Sequence, residues 1–394
     1  MSSLPPLRLK KSEDRRLRAG HLWVFSNEVD VGQTPLTAFE PGEPVEIQDS
    51  RGAPLGSGYV NPHSLICARL VSRGRGRTLD GAMLRERLGR AVALRDRLFG
   101  EPFYRLAFGE GDGLPGLVVD RFGEVAVVQI TTAGMERVRD EVLAALDDVI
   151  GPRGVVLRAD TPARALEGLE LYVEARGEVP ERVEVRENGA LFSVPLMGGQ
   201  KTGWFYDHRD NRARMMRYVE GRRVLDVFSY IGGWGVLAAV AGEVVSVDSS
   251  AGALEELQRS AALNGVEERV RTVQGDAFAV LREMRGAGER FDVIVLDPPA
   301  FIKRKKDAKE GEQAYLRINQ AAIEMLAPDG ILVSASCSFH MSRDALLLAI
   351  LRASRNAGRD LQILEEGHQA ADHPVHPAIP ETSYLKAFFA RALG

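Results

Sequence analysis

The sequence predicts an α/β protein whose C-terminal half is a doubly wound, mostly parallel sheet. Three observations carry that reading. From Arg222 onward, short β-branched runs alternate strictly with helical stretches, the pattern of consecutive strand–helix units. The first of these runs passes into its helix through a glycine turn, DVFSYIGGWG, Asp226 to Gly235. Ahead of this half, to about Arg77, strand-like pieces are broken by Gly and Pro, the texture of a small β-barrel.

The elements follow in order. HLWVFSNEV, EPVEIQD, GSGYVNP and SLICARLVS read as the strands of the barrel, residues 1–77. SRGRGRTLDG is a linker, and MLRERLGRAVALRDRLF carries apolar residues at helical spacing. Strands punctuated by glycine then run through FYRLAFGEGDGLPGLVVDRFGEVAVVQIT. A helix near Glu136–Asp148 and a strand near Val155–Arg158 complete a central α+β domain, residues 78–182. VEVRENGALFSV is a hairpin, because alternating runs flank Asn188-Gly189. The remaining domain, residues 183–394, adds seven strands: RRVLDVF, EVVSVD, RVRTVQ, FDVIVLD, GILVSAS, DLQILEE and YLKAFFARA.

Composition narrows the class. At 45% hydrophobic and 27% charged residues, the 394-residue chain can bury a sizeable core. No apolar run is long enough to span a bilayer, and the start lacks the apolar stretch of a signal peptide, so no membrane is expected. Two cysteines, Cys67 and Cys337, exclude a disulfide framework and predict a reducing cytoplasm. With a net charge of −4, any nucleic-acid binding must come from local patches. Residues 1–77, with eleven basic against eight acidic side chains, are mildly positive.

The chemistry is carried by strand ends. Asp297 ends VIVLD and Cys337 follows GILVSAS. If both strands share one parallel sheet, carboxylate and thiol meet at its carboxyl edge, where such sheets bind ligands. A thiol beside an acid there suits nucleophilic attack on a polarised ring. Asp226, Asp248 and Asp276 end the first three strands of the half. An acid at the end of the second strand can take ribose hydroxyls, and the spacing of the glycine turn is not that of a dinucleotide fold. Three successive strand-end acids suit a nucleoside with two hydroxyls and an exocyclic amine, S-adenosylmethionine (SAM). Asp276 is equally readable as a helix N-cap. The prolines of DPPAF stiffen the loop after Asp297 and suit holding a flat amino group. The run Lys303, Arg304, Lys305, Lys306 follows directly and is a candidate phosphate grip, with Phe301 and Phe339 as candidate base-stacking rings. Cys67 has no such context and reads as core. His368, Asp372, His373 and His376 cluster near the C-terminus, but the intervening prolines spoil metal-ligand spacing, so no metal is expected.

Taken with these motifs, the chain resembles the RlmI-type 23S ribosomal RNA cytosine-C5 methyltransferases, over almost its whole length. The resemblance rests on HLWVFSNEV, EGDGLPGLVVDRFG, GGQKTGWFYDHRDNR, DVFSYIGGWG, LDPPAF, SASCS, ADHPV and PETSYLK. It implies a PUA-type RNA-binding barrel, a central α+β domain and a Rossmann-like class I methyltransferase domain. It further implies that Asp226, Phe228, Ser229, Gly232, Gly233, Asp248, Ser249, Asp276, Ala277, Asp297 and Pro298 line the SAM site. The KTGWFYDHRDNR segment, with Thr202 and Arg209, would close over the methionine end. Cys337 would be the nucleophile, 23S ribosomal RNA the partner, and a second copy of the chain a further candidate partner. Many RNA 5-methylcytosine enzymes carry a second cysteine where this chain has Ala300, so the resemblance assigns no base to the C5 proton. Two other readings stay open. One is a SAM enzyme acting on uracil or on a base nitrogen, with Cys337 structural. The other is a non-catalytic RNA-binding assembly factor.

Overall fold

The structure, a computed structural model, describes residues 4–74, 76–198 and 202–393. Two units emerge: Met1–Glu181 with Leu196–Trp204 and Ala371–Thr382, and Arg182–Pro195 with Phe205–Ala370 and Ser383–Gly394. No helix among the described residues is long and apolar enough to cross a membrane.

The first unit holds two five-stranded sheets. One runs, in spatial order, Pro6–Arg8, Glu43–Gln48, Pro54–Val60, Ala68–Ser72 and Trp23–Val24. Its core gathers Leu7, Leu9, Val45, Ile47, Val60 and Leu70. Cys67 is buried among them, and burial pushes its thiol up to about 12. The strand expected over HLWVFSNEV is only Trp23–Val24. Glu28 stops it: its carboxylate accepts the Phe25 backbone N–H at 2.8 Å and pairs with Arg16 at 2.6 Å, winding Ser26–Glu28 into a tight turn.

The other sheet orders Tyr172–Gly177, Gly154–Ala159, Val125–Ile130, Leu117–Phe122 and Phe103–Phe108. The helix Gly81–Leu98 starts at Asp80, whose carboxylate caps the Met83 N–H. The helix expected near Glu136 divides at Val138 into Ala133–Arg137 and Arg139–Ile150. Tyr172–Gly177 was not expected as a strand: it is a largely exposed edge without an apolar alternation to betray it. Two members of the histidine-rich cluster act as internal ties. Asp372 accepts the Arg105 N–H at 2.9 Å and contacts His373 Nδ1 at 2.7 Å, while its carbonyl takes Arg95.

The second unit opens with the hairpin β1 (Arg182–Glu187) and β2 (Ala190–Pro195). Its turn residues Asn188 and Gly189 have φ of +52° and +82°, the left-handed pair that a two-residue hairpin requires. There follow α1 (Arg209–Met215), β3 (Arg223–Val227), α2 (Gly235–Ala239), β4 (Glu243–Asp248), α3 (Ala251–Leu263), β5 (Val270–Gln274) and α4 (Ala277–Gly286). The chain continues through β6 (Phe291–Leu296), α5 (Ala308–Met325), β7 (Leu326–Ser336), α6 (Arg343–Asn356), β8 (Asp360–Gly367) and β9 (Lys386–Leu393). The seven strands lie in the order β5-β4-β3-β6-β7-β9-β8. β5 through β7 are mutually parallel, and β9 runs antiparallel between β7 and β8.

Helices covering both faces explain why the strands read as unbroken apolar runs rather than alternating ones. Leu225, Ile294, Leu296, Leu332 and Phe388 pack with Tyr315, Ile318, Leu346 and Ile350 in one buried cluster. Each such side chain contributes about 1.5–3 kcal/mol on burial. Strand order reverses between β3 and β6, and the carboxyl ends there form the crevice in which sheets of this kind hold ligands.

Candidate active site

The loop after β3 is built for close approach. Phe228 and Tyr230 sit at φ of +67° and +49°, backbone positions that non-glycine residues occupy only under constraint. The constraint is visible: the N–H groups of Phe228 and Ser229 both donate to the Val247 carbonyl, at 2.9 and 3.0 Å. Gly232 follows at φ of +90°, where a Cβ would come within 2.7 Å of Leu257 and Val236. Gly233 is buried beside it.

Four acids line the edge, each in a different state. Asp226, at the core of β3, is fully buried; neither oxygen has a side-chain partner among the described residues, and the Gly235 backbone N–H faces it. Burial first, and neighbouring Asp297 second, push it up to about 8, so it carries a proton at neutral pH. The Ser229 hydroxyl is likewise buried without a partner among the described residues. Asp248, at the end of β4, takes the Tyr230 N–H on one oxygen and the Ser250 N–H on the other, both at 2.9 Å. Each oxygen keeps a second lone pair. Ser249 beside it is exposed. Asp276 is exposed and caps α4 by accepting the Ala279 N–H at 3.0 Å, with Ala277 buried as the first helical residue. The capping role expected as its alternative is therefore present, on one of its two oxygens.

Asp297 follows β6. His208 Nε2 lies 3.2 Å from its Oδ1, and Trp234 Nε1 donates to its Oδ2 at 3.0 Å. Burial alone would raise this acid; the adjacent histidine outweighs burial and holds it below the ordinary range. The histidine's other nitrogen faces the Asn211 amide nitrogen at 3.2 Å. That amide is fixed, since it also donates to the His368 carbonyl while its oxygen accepts from Arg214. In the neutral ring Nδ1 is therefore the acceptor, which leaves the hydrogen on Nε2, the nitrogen nearest Asp297. His208 and Trp234 were not singled out from the sequence. The motif DHRDNR contains the histidine, but only the fold brings it to a carboxylate 89 positions away.

Cys337 is half-buried just past β7, the strand beside β6; Leu296 and Ser334 are register partners. Its loop is pinned on both sides. The Ser336 and Tyr315 hydroxyls meet at 2.7 Å, and the Ser338 hydroxyl donates to the Ile302 carbonyl at 2.6 Å, tying this turn to the loop after DPPAF. Pro298 is buried, and Phe301 joins Phe228, Phe278 and Tyr315 in an aromatic cluster. Phe339 is exposed and stands edge-on to His340. Lys303, Arg304, Lys305 and Lys306 are exposed, with Arg304 paired to Asp307 at 3.3 Å.

The segment GGQKTG is described from Thr202 on; Gly199, Gln200 and Lys201 lie outside the described residues. Thr202 is buried and groups with the first unit. Arg209 is engaged by Glu187 of the hairpin at 3.4 Å, with Arg212 taking the other oxygen of the same carboxylate at 2.6 Å.

Residues 157–391 match a family described as S-adenosylmethionine-dependent methyltransferase, and residues 7–73 match a PUA-like domain. Ribosomal RNA large subunit methyltransferase I of Klebsiella pneumoniae (strain 342) is 39% identical over 403 aligned residues, spanning 100% of this chain and 99% of the relative. The chain belongs to the ribosomal RNA large subunit methyltransferase I family. It is thus a member of a SAM-dependent methyltransferase family, with a PUA-like N-terminal domain. Two solved structures share the fold: SMU.776 in complex with SAH, at a TM-score of 0.84 and 21% identity over 98% of this chain and 100% of its own, and a SAM-dependent methyltransferase candidate from Streptococcus mutans, at 0.82 and 20% over the same shares. The buried Asp226 oxygens and Ser229 hydroxyl, the backbone-held Asp248 and the Gly232 turn fit SAM, which needs acceptors for its hydroxyls and amine and a close backbone.

Proposed function

We propose that this methyltransferase methylates C5 of a cytosine in 23S ribosomal RNA, with Cys337 forming a covalent bond to the base. One observation carries the reading: a cysteine follows β7 at the carboxyl edge, on the strand next to the one that ends in Asp297. The named relatives act on large-subunit ribosomal RNA, and the PUA-like residues 7–73 and the exposed Lys303–Lys306 run supply surfaces for it. The division into 1–77, 78–182 and 183–394, a cytoplasmic location and a homodimer belong to the same reading.

Bound SAM supplies an electrophilic methyl group on a positive sulfonium. Asp226, Ser229, Asp248, Asp276 and the Gly232 turn would hold it, with Thr202 and Arg209 assigned to its methionine end. Cytosine C5 is a weak nucleophile. Attack of the Cys337 thiolate on C6 forms an S–C6 bond, breaks the 5,6-double bond and makes C5 enamine-like. Asp297, kept oriented by His208 and Trp234, would accept from the exocyclic N4 amino group and hold the ring in place for attack. Loss of the C5 proton to water then lets the 5,6-double bond re-form as the S–C6 bond breaks and the thiolate departs. The base must be unstacked to enter, at a cost of a few kcal/mol in a duplex and less in a loop.

The test uses RNA carrying 5-fluorocytosine. Fluorine cannot leave as a proton, so the wild-type protein should be trapped as an adduct and Cys337→Ala should not. Methylation by Cys337→Ala should fall by orders of magnitude while SAM binding persists. Substantial activity in that variant would transfer the assignment to nitrogen methylation, for which the stiff DPPAF loop is suited.

A further inference from the structure

We propose that Lys386 is the proton partner of Cys337: it accepts the thiol proton and holds the resulting thiolate as its counter-ion. This rests on the covalent reading of Cys337. It concerns a residue outside the strand-end acids, at the start of the antiparallel strand β9.

The geometry begins with register. Lys386 is the Cα partner of Ser336, the residue before Cys337. The pairing sets the lysine beside the start of the turn that carries the thiol. From there the lysine side chain reaches round the thiol's own turn: Nζ donates to the Ser338 carbonyl at 2.6 Å and to the Tyr384 carbonyl at 2.8 Å. The nitrogen is therefore bracketed by carbonyls on the turn that carries Cys337 and on the approach to β9. Two of its tetrahedral positions are committed. In the amine form the third is a lone pair; in the ammonium form it is an N–H. The first state accepts a proton and the second stabilises an anion, with no rearrangement of the two hydrogen bonds.

The surroundings favour this use. Lys386 is half-buried and has no carboxylate partner among the described residues. Burial pulls it down to about 8, with the Cys337 charge the opposing influence. Burial thus brings the lysine toward the range in which free thiols titrate, roughly 8.5. Other groups face the pair from each packed element. Tyr315 on α5 is pushed up by burial and stays neutral. Asp297 at the end of β6 is occupied by His208 and Trp234. Tyr384 donates its hydroxyl to Asp207 at 2.5 Å. Arg343, Glu366 and His368 share a cleft of about 350 Å³ with Lys386, and Arg343 pairs with Glu366.

The step balances without a further reactant. The S–H bond breaks and an N–H bond forms; thiol becomes thiolate and amine becomes ammonium.

The experiment reads the thiol itself. The full-length protein is labelled with iodoacetamide across pH, and labelled peptides are resolved by mass. Cys67 is buried with its thiol pushed up to about 12, so labelling near neutral pH reports Cys337. In wild type, labelling should rise at least one pH unit below the ~8.5 of free cysteine. Lys386→Met should move the midpoint up by a pH unit or more, slowing labelling about tenfold at pH 7. Lys386→Arg, which keeps the charge, should leave it low. Methylation by Lys386→Met should recover as pH rises, which a merely structural role would not produce. A wild-type midpoint at the ordinary cysteine value, or the same midpoint in wild type and Lys386→Met, overturns the proposal. The wild-type measurement decides even if the Met variant fails to fold. A low, Lys386-dependent midpoint with full methylation by Cys337→Ala would leave the pairing intact and reject the covalent reading instead.

Discussion

His208 and Asp297 form a buried contact of 3.2 Å in which the histidine hydrogen faces the carboxylate, and each partner draws the other toward its charged form. His208 is raised although burial opposes it, and Asp297 is lowered although burial opposes it. Replacing His208 by Gln removes the larger influence opposing burial on Asp297 and leaves only the Trp234 hydrogen bond. The acid limb of the methylation pH profile should then move to higher pH. Below that limb the rate should fall about tenfold for each pH unit by which it moves. The sign for stability differs between partners. The part that comes from His208 is complete below its unfolded value and is lost as pH rises through its raised folded value. The part from Asp297 is complete above its unfolded value and is lost as pH falls through its lowered one. An unmoved acid limb in His208→Gln would remove Asp297 from the rate-determining ionisation.

Asp226 titrates in the opposite sense from a paired carboxylate. Its folded form keeps its proton up to about 8, whereas the unfolded chain releases it near 3.8. Between these two values the native state binds the extra proton, so stability falls as pH rises. Asp226→Asn removes this dependence. Denaturant unfolding should show a flatter pH profile between about 4 and 8 for the variant than for wild type, with the variant gaining most at the alkaline end. SAM binding should weaken in the same variant if the buried oxygens hold the cofactor.

Asp248 already receives two backbone N–H groups, so it is placed before any ligand arrives. Asp248→Ala should weaken SAM binding by about 1–3 kcal/mol, the scale of a lost hydrogen bond to a charged group. Calorimetry measures it; an unchanged affinity would move the ribose elsewhere.

Lys303, Lys305 and Lys306 are exposed, whereas Arg304 is paired with Asp307. Neutralising the run should flatten the slope of log affinity for single-stranded RNA against log salt by about 2, the share of three lysines at roughly 0.7 each. SAM affinity should not change. Equal slopes would return the run to a solvated face.

The central strands of the sheet were legible because they are buried on both sides. Apolar runs such as VIVLD and GILVSAS needed no partner to be recognised, and Asn188-Gly189 announced its hairpin. The strand-end acids were legible for the same reason, since strand ends could be counted. One edge strand was not: Tyr172–Gly177 is exposed and charged, so no periodicity marks it. Nor were residues that reach the site from outside the strand-end rule. His208 lies in a turn before α1, Trp234 in a glycine loop, and Lys386 enters from an antiparallel strand. Their positions depend on tertiary pairing, to which local sequence is blind.

The place of β9 bears on how the protein is made. Synthesis delivers β7, then β8, and only afterwards the strand that separates them. Until it arrives, two open edges wait side by side, and exposed edges invite pairing with other chains. Correct insertion of one late strand therefore covers both of these inner edges and, in the same event, sets a lysine opposite the residue that precedes Cys337.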